Sequence, residues 1–183
     1  MSGIPLKLSI GCGAYDRTWP LIASVVEVEG VELDWEILAP EPVFIRGMVN
    51  REFDIAEMSF STYLLQLSRG DNPYTAIPVY PSRAFRHSAI YIRTDAGIEN
   101  PENLRGRPIG VPEYQLTANV WARGILSDEY GVRAEDVEWL IGDIDEVGRR
   151  EKVPVELPQN IPNRAIGNDE TLWSLMQAGA VDA

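Results

Sequence analysis

Alternation of apolar and polar residues predicts strands along the first half of the chain. Leu6 to Ile10 alternates and then runs into Gly11-Cys12-Gly13, a loop in which the backbone can approach a ligand closely. Similar patterns predict four further strands. The five segments with a strand pattern are 6–10, 31–38, 53–58, 75–79 and 88–93.

Helical periodicity fills the intervals between these strands. Tyr15 to Val26 predicts a helix whose first turn is limited by Pro20. A second helix is expected around Pro42, which a first helical turn tolerates. Ser59 is a candidate cap for a third helix that Gly70 closes. Its predicted apolar stripe consists of Phe60, Leu64 and Leu67. The alternation of strands and helices predicts an α/β layer fold.

A polar, turn-rich segment divides the pattern in two. We therefore predict a first α/β lobe over 1–95, a connection over 96–107 and a second α/β lobe over 108–183. In the second lobe, strand patterns at 108–111 and 137–141 flank a helix over 116–130. That helix is expected to turn Val120, Trp121 and Ile125 inward. A loop over 142–167 and a last helix, capped by Asn168 and ended by Gly179, complete the prediction.

A short sequence motif occurs in both predicted lobes. The two segments are RGMVNREFDIAEMS and SLMQAGAVDA. Each predicts an amphipathic helix, then a turn, and then the beginning of a strand in which Asp stands between two apolar residues. The first copy continues into a strand, whereas the second stops at Ala183. A chance repeat of common residues is one interpretation. The interpretation we favour is that the second lobe is incomplete and the chain is a truncated form of a longer protein.

Composition and charge exclude several classes of function. The formal net charge is -12, which argues against a nucleic-acid partner, since phosphate contacts need a broad basic face. No apolar run is long enough to cross a bilayer. Lys7 interrupts the amino-terminal apolar run, which argues against a signal peptide. The single cysteine, Cys12, fits a reducing compartment. We therefore expect a cytoplasmic protein without a membrane partner.

The residue inventory also argues against most cofactor chemistry. The chain has one histidine and one cysteine, without the paired spacing of a metal site. GCGAYD lacks the third glycine of a dinucleotide fingerprint. Schiff-base chemistry would need Lys7 or Lys152, and neither lies in a predicted site. Cys12 could be a nucleophile, although a partly buried, inert thiol is the favoured interpretation. We expect no metal and no cofactor.

The segment PVYPSRAFRHSAIYIR is the strongest candidate for chemistry. It gathers Arg83, Arg86 and the sole histidine, His87, in an otherwise acidic chain. Arginine binds carboxylates through a planar fork, and histidine moves protons near neutral pH. Solvated loop arginines and a histidine satisfied at a strand edge are the alternatives. The clustering favours a site for a small carboxylated molecule.

Two strand-to-helix turns carry further candidate binding residues. In the first lobe, EMSFSTYLL places Ser59, Ser61 and Thr62 where free backbone N–H groups suit an anion. In the second lobe, GVPEYQLTANVW repeats the arrangement. Its polar residues are Glu113, Tyr114, Gln115 and Thr117. Either turn could simply cap its helix. If both are functional, we expect them to face each other across a cleft.

Two long blocks of sequence resemble a known family. These are FDIAEMSFSTYLLQLSRGDNPYTAIPVYPSRAFRHSAIYIR and GRPIGVPEYQLTANVWARGIL. They resemble the 4,5-dihydroxyphthalate decarboxylase family, whose fold is similar to that of type II periplasmic binding proteins. The resemblance runs from about Leu6 to Ala183. It implies two α/β lobes around a cleft, and family members are longer than this chain.

The resemblance also implies an activity, namely a carboxy-lyase that removes one carboxylate of an aromatic dicarboxylate as CO2 without an organic cofactor. The resemblance assigns no catalytic residues, so the roles of individual residues are inferred from the chemistry of the reaction. Arg83 and Arg86 fit a carboxylate clamp, His87 fits the acid, and Glu57 or Glu113 could accept a proton from the hydroxyls. Cys12 and Tyr15 are candidate binding residues, together with the polar residues of the two strand-to-helix turns. The alternatives are a non-catalytic solute-binding protein of the same fold and an inactive fragment; a homo-oligomer stays open.

Overall fold

The computed structural model describes residues 4–148 and 151–183. Residues 149–150 of the predicted loop, and residues 1–3 of the segment considered for a signal peptide, lie outside the described residues. The chain forms two compact units, one up to Ala84 and one from Phe85 to Ala183. The predicted connection over 96–107 belongs to the second unit, where it forms a 3₁₀ turn at Pro101–Leu104 and buries Leu104.

The first unit is built on a parallel three-stranded sheet. Its strands are β1 (Leu6–Cys12), β2 (Val31–Ile37) and β3 (Ile55–Ala56), in the order β2-β1-β3. β1 pairs with β2 along its whole length and with β3 at Ile10 and Gly11. Burial increases toward the carboxyl end of β1, where Ile10 and Cys12 are buried. The carboxyl end of the central strand is therefore the most buried part of that strand.

Three helices follow the strands of this unit. They are α1 (Trp19–Ile22), α2 (Pro40–Phe44), which continues into a π-helical turn at Ile45–Val49, and α3 (Phe60–Ser68). The predicted helix over Tyr15 to Val26 was too long, because Ser24 adopts a φ of 52° that a helix cannot continue through. Gly70 does close α3, with a φ of 68°.

The buried face of α3 is not the apolar stripe that its pattern predicts but the opposite face of the helix. Thr62 and Gln66 are buried, and the Gln66 amide donates to the carbonyl oxygen of Met48 over 3.3 Å. The predicted stripe is exposed, at 48% for Phe60, 47% for Leu64 and 54% for Leu67. The prediction of an inward stripe was therefore wrong. A buried amide that is hydrogen-bonded can occupy an inner face as well as leucine can.

Two of the predicted strands do not form, and the third strand is shorter than expected. Among the described residues, neither 75–79 nor 88–93 joins a ladder. Val79 N instead bonds Ile77 O within a local turn, and His87–Ala89 forms a 3₁₀ turn. A strand exists only through hydrogen bonds to a neighbour, so an apolar pattern without a partner strand stays irregular. The same reason limits β3 to two residues of the predicted 53–58.

The second unit repeats the parallel sheet. Its strands are β4 (Pro108–Val111), β5 (Glu138–Ile141) and β6 (Asn163–Ala165), in the order β4-β5-β6. β6 lies inside the segment predicted as a loop, whose polar sequence NRA gave no strand pattern. The core combines β4 and β5 with the helix between them. Its buried members include Leu104, Ile109, Val111, Leu126, Val137 and Trp139.

Two helices complete the second unit, α4 (Thr117–Tyr130) and α5 (Leu172–Gln177). α4 buries Ile125 as predicted but exposes Val120 and Trp121, which corrects the expected inner face. α5 begins later than predicted, because Thr171 caps it: the Thr171 hydroxyl accepts from Ser174 N over 3.0 Å. Gly179 follows its end with a φ of 76°.

The sequence motif that recurs in the two lobes has a structural counterpart. After α5, Asp182 N donates to Pro108 O over 3.0 Å, and Gly110 N donates to Ala183 O over 2.8 Å. The residues after the second turn therefore lie hydrogen-bonded beside β4, as β3 lies beside β1. Asp182 also forms ion pairs with Arg93 and Arg107. In both units, the segment that follows the helix and the turn therefore lies hydrogen-bonded beside a strand of the sheet.

Candidate functional site

In the first unit, candidate residues converge at the carboxyl edge of the sheet. Cys12 ends β1, and Glu57 directly follows β3, with Glu57 N donating to Gly11 O over 2.9 Å. Because the carboxyl ends of parallel strands meet at one edge, both side chains lie at the position where open α/β sheets bind ligands.

Glu57 is the centre of a hydrogen-bonded cluster at this edge. Its Oε2 accepts from Gly13 N over 3.0 Å and from the Cys12 thiol over 3.6 Å, and its Oε1 accepts from the Tyr15 hydroxyl over 2.7 Å. The side chain is 8% exposed. A carboxylate offers about four acceptor positions, so these three donors leave about one for any further group.

The same carboxylate changes the acidity of its two side-chain donors. Burial, with the charge of Glu57 next, raises the pKa of the Cys12 thiol to about 11. Burial and the hydrogen bond to Glu57 raise the pKa of Tyr15 to about 12. Both groups therefore hold their protons at neutral pH. Cys12 is a thiol and not the thiolate that nucleophilic chemistry requires.

The three hydroxyls of the first turn lie together at the start of α3. The Thr62 hydroxyl donates to Ser59 Oγ over 3.1 Å, and the Ser59 and Ser61 hydroxyl oxygens are 3.4 Å apart. Ser59 has the extended backbone of a capping residue, but its side chain makes no cap hydrogen bond to the helix. The hydroxyls thus form a polar group at the amino end of α3, where the helix dipole favours an anion.

Arg83 lies on a turn of the first unit that ends close to this edge. Its Nε donates to Tyr80 O over 3.2 Å, which leaves the two terminal guanidinium nitrogens without a partner among the described residues. Arg17 Nη1 donates to Pro81 O over 2.7 Å. The turn that carries Arg83 is therefore attached to the loop that follows β1.

His87 and Arg86 lie at the start of the second unit. Nε2 of His87 is 3.1 Å from Glu129 Oε1 on α4, and both side chains are about half exposed. His87 also lines a cleft of about 220 Å³ whose other walls are mostly apolar. Arg86 is partly buried and makes no ion pair within the described part of the chain.

The turn between β4 and α4 is organised around a buried ion pair that the sequence did not predict. Glu113 is fully buried and pairs with Lys152 Nζ. Glu113 Oε2 also accepts from Gln115 Nε2 over 2.9 Å and from Lys152 N over 3.1 Å. Burial raises the pKa of Glu113, but the hydrogen bonds from Lys152 and Gln115 outweigh it, so the pKa is lowered overall.

Lys152 belongs to a segment that is fastened to this turn. Tyr114 N donates to Glu151 Oε1 over 3.0 Å, and Gln115 Nε2 donates to Val153 O over 3.1 Å. The expectation that Lys152 lies outside the candidate sites is therefore wrong. Its place in a proline-rich loop carries no periodic signal; only its rarity, as one of two lysines, could have drawn attention to it.

The side chain of Tyr114 packs into the core of the second unit. Its ring meets Trp139 edge to face at 5.7 Å between centroids, and the Arg123 guanidinium lies 3.6 Å from its centroid. At 7% exposure, its aromatic face is occupied by protein. Thr117 is the first residue of α4. The second turn therefore holds structural contacts at Glu113, Tyr114 and Gln115.

Across residues 4–148 and 151–183 there is no group of three or more His, Cys, Asp or Glu side chains arranged to hold a metal ion. Of the helices in this part of the chain, none is both long and apolar enough to span a bilayer.

The chain resembles proteins of known function over nearly its whole length. Residues 14–171 match the family model described as "ABC transporter, phosphonate, periplasmic substrate-binding protein". The chain is 44% identical over 177 residues to a 4,5-dihydroxyphthalate decarboxylase of Comamonas testosteroni, which covers 97% of the chain and 54% of that protein. It is also 44% identical over 178 residues to a 4,5-dihydroxyphthalate decarboxylase of Pseudomonas putida, covering 97% and 69%. The chain thus spans about half to two thirds of the length of these relatives.

Proposed function

Because the chain belongs to the family of the 4,5-dihydroxyphthalate decarboxylases, which has the fold of periplasmic substrate-binding proteins, we propose that this protein is a decarboxylase. Its substrate is a dihydroxylated aromatic dicarboxylate such as 4,5-dihydroxyphthalate. The reaction releases one carboxylate as CO2 without oxidation or reduction. The observation that carries the proposal is the likeness to two decarboxylases over nearly the whole chain.

The chemistry of the substrate sets what the protein has to supply. Each carboxylate of 4,5-dihydroxyphthalate lies para to a hydroxyl. A proton added to the ring carbon that bears one carboxylate creates a cation, which the para oxygen stabilises by donating electrons. The C–C bond then breaks, its electron pair restores the aromatic ring, and CO2 leaves. The protein therefore needs a clamp for the other carboxylate, a proton donor and an acceptor near the hydroxyls.

The clamp is assigned to Arg83, with Arg86 as a second candidate. The terminal guanidinium nitrogens of Arg83 have no partner among the described residues, and its turn is attached through Pro81 to Arg17 in the loop after β1. A guanidinium fork matches a carboxylate with two parallel hydrogen bonds. Ser59, Ser61 and Thr62 at the start of α3 add hydroxyl donors in the same unit.

The proton donor is assigned to His87. Its Nε2 lies 3.1 Å from Glu129 Oε1. In the protonated ring Nε2–H donates to that carboxylate, which orients the imidazole as carboxylates commonly orient catalytic histidines. The Nδ1 atom is then the position from which a proton passes to the ring carbon. The histidine is half exposed beside a cleft, so its ring is accessible to a ligand.

The acceptor for the substrate hydroxyls is assigned to Glu57 in preference to Glu113. Glu57 keeps about one acceptor position at the sheet edge, whereas Glu113 is fully buried and paired with Lys152. We assign Glu113 and Lys152 to holding the turn between β4 and α4. Tyr15 and Cys12, which donate to Glu57, fix the orientation of that carboxylate.

The second candidate function is a non-catalytic solute-binding protein, favoured by the match of residues 14–171 to a periplasmic substrate-binding family. One experiment separates the two. The purified protein is incubated with 4,5-dihydroxyphthalate while CO2 release is measured, and binding is measured separately by calorimetry. CO2 release with formation of 3,4-dihydroxybenzoate supports the decarboxylase. Binding without CO2 release supports the binding protein and overturns the proposed activity.

A cytoplasmic location is part of the proposal. Cys12 is a free, buried thiol, which fits a reducing compartment. Cell fractionation in the source organism tests this assignment, and recovery in a periplasmic fraction would contradict it.

A further inference from the structure

The cleft of about 220 Å³ in the second unit has an aliphatic interior. Its floor is part of the hydrophobic core and consists of three side chains that are at most 9% exposed, Leu104, Ile125 and Leu126. Two partly buried side chains that pack on this core, Ile90 and Ile98, add apolar walls. A ligand that enters the cleft therefore exchanges water for carbon surface.

The lining of the cleft is fixed by secondary structure. The floor residues belong to α4 and to the 3₁₀ turn at Pro101–Leu104. The start of that turn is held by Asn103, whose Oδ1 accepts from Glu99 N over 3.1 Å and from Asn100 N over 3.0 Å. The cleft is thus formed before any ligand arrives, and a preformed site lowers the cost of binding.

The rim of the cleft carries polar groups that are acidic in balance. His87 and Glu99 both line the cleft and are exposed. His87 Nε2 is 3.1 Å from Glu129 Oε1, which adds a second carboxylate at this end. Of the described residues that line the cleft, none is lysine or arginine. Because like charges placed together oppose binding, the cleft disfavours a carboxylate ligand.

The volume of the cleft limits the size of a ligand to one ring. A cavity of about 150 Å³ lined by apolar side chains binds benzene, whereas pockets for drug-sized molecules begin at about 300 Å³. A volume of about 220 Å³ therefore suits a ring with a small substituent. At the rim, the Glu99 carboxylate can accept a hydrogen bond from a ligand hydroxyl, and Nδ1 of His87 can accept or donate one.

We propose that this cleft is a binding site for a small neutral phenol, that is, an uncharged aromatic ring with a hydroxyl group. The ring lies on the aliphatic floor, and the hydroxyl lies at the rim beside Glu99 and His87. The chemistry differs from that of the first unit, where Arg83 and the hydroxyls of α3 suit an anion. The proposal goes beyond the proposed function and is independent of it, since binding requires no turnover.

The first test uses two ligands that differ in charge. 4-Ethylphenol is the probe, and 4-hydroxybenzoate is its charged counterpart, with the same ring and hydroxyl but a carboxylate. NMR signals of the isoleucine δ1 methyl groups locate binding, with Ile90, Ile98 and Ile125 in the cleft and Ile10 of the first unit as the reference. We expect 4-ethylphenol to shift the cleft signals with a Kd on the order of 1 mM. 4-Hydroxybenzoate should bind the cleft about tenfold more weakly or less. Cleft signals that 4-ethylphenol does not move, or that both ligands move equally, overturn the proposal.

The second test changes the shape and the charge of the cleft separately. Ile98→Phe fills the cleft and should weaken binding of 4-ethylphenol at least about tenfold. Ile144→Phe is the matched control, because Ile144 is an exposed isoleucine of the same unit outside the lining. Glu99→Lys reverses the charge at the rim and should let 4-hydroxybenzoate bind the cleft about as well as 4-ethylphenol. Glu102→Lys adds the same charge on the same 3₁₀ turn outside the lining and should not.

Two outcomes of the second test contradict the site. Equal losses of 4-ethylphenol binding in Ile98→Phe and Ile144→Phe overturn the proposal, as do equal gains of 4-hydroxybenzoate binding in Glu99→Lys and Glu102→Lys. If Ile98→Phe fails to fold, the two lysine variants decide the matter, because both positions are exposed. Absence of CO2 release from 4,5-dihydroxyphthalate contradicts the proposed function only, since neither test involves turnover.

Discussion

Lys152 forms an ion pair with Glu113, a carboxylate with no exposed surface in the second unit. The backbone N–H of Lys152 and the amide of Gln115 donate to the same carboxylate. This cluster holds the segment around Lys152 against the turn between β4 and α4. The stability of the protein and its dependence on pH should therefore both respond to changes in this cluster.

Lys152→Ala should destabilise the protein strongly. Removing one partner of a buried ion pair leaves the other charge buried without compensation, which costs about 3–5 kcal/mol. Urea unfolding measures the change in free energy. Lys7→Ala is the matched control, since Lys7 pairs with Glu32 on an exposed surface, where ion pairs contribute little. Equal losses in the two variants would show that Glu113 does not depend on Lys152.

The free energy of unfolding should depend on pH through the titration of Glu113. Its pKa is lowered overall in the folded state, with burial opposing the hydrogen bonds from Lys152 and Gln115. A lowered folded-state pKa contributes stability above the unfolded-state pKa, and this contribution is lost as the pH falls through the folded value. Unfolding of wild type and Glu113→Gln should therefore converge as the pH is lowered from 7 into the acid range below about 4. A difference that stays constant would contradict the assignment.

Cys12 should react slowly with iodoacetamide in the folded protein. Burial and the neighbouring Glu57 raise the pKa of its thiol to about 11, so at pH 8 only about a thousandth of it is thiolate. Glu57→Gln should accelerate the reaction partially, because it removes the charge and leaves the burial. Urea-unfolded protein is the control for full reactivity. Native alkylation within about threefold of that control would contradict the raised pKa.

Much of the first unit could be predicted from the sequence, because its strands carry a clear period of two. β1 and β2 follow the alternating patterns, and Gly70 ends α3 as expected. α3 itself was assigned the wrong face. Periodicity counts apolar residues, and it cannot register that Gln66 bonds the Met48 carbonyl and so occupies the inner side.

The site was predicted less completely than the fold, because its contacts join distant positions. The cluster of Glu57 with Cys12, Gly13 and Tyr15 spans more than 40 residues of sequence, although both ends were candidates. Lys152 was missed because its partner Glu113 is 39 residues away and its own loop has no pattern. Tyr114 was assigned to a ligand, whereas its ring packs against Trp139 and Arg123.

His87→Gln should slow turnover more than it weakens binding. Glutamine can keep the hydrogen bond to Glu129 but cannot deliver a proton at neutral pH. Loss of a general acid costs a factor of about 100 to 10,000. Arg83→Ala should instead reduce binding and turnover together, because a clamp acts on the bound substrate before and during the reaction. Turnover within about threefold of wild type in His87→Gln would exclude the acid role.

The exposed apolar face of α3 should promote self-association. Phe60, Leu64 and Leu67 form this face, and contiguous exposed apolar surface commonly marks a contact region. Sedimentation should show association that increases with concentration and decreases in Leu64→Lys. Ser68→Lys, on the same helix, is the control for added charge. A wild-type protein that stays monomeric at every concentration tested would contradict this expectation.

In the proposed reaction the protein protonates a ring carbon of the substrate and releases CO2 from that carbon. The most direct measurement is mass and NMR analysis of the product formed from 4,5-dihydroxyphthalate in D2O. We expect 3,4-dihydroxybenzoate with a single deuterium at the ring carbon that carried the lost carboxylate, and one CO2 for each product. Recovery of unlabelled, unconverted 4,5-dihydroxyphthalate from protein that binds it would contradict the claim.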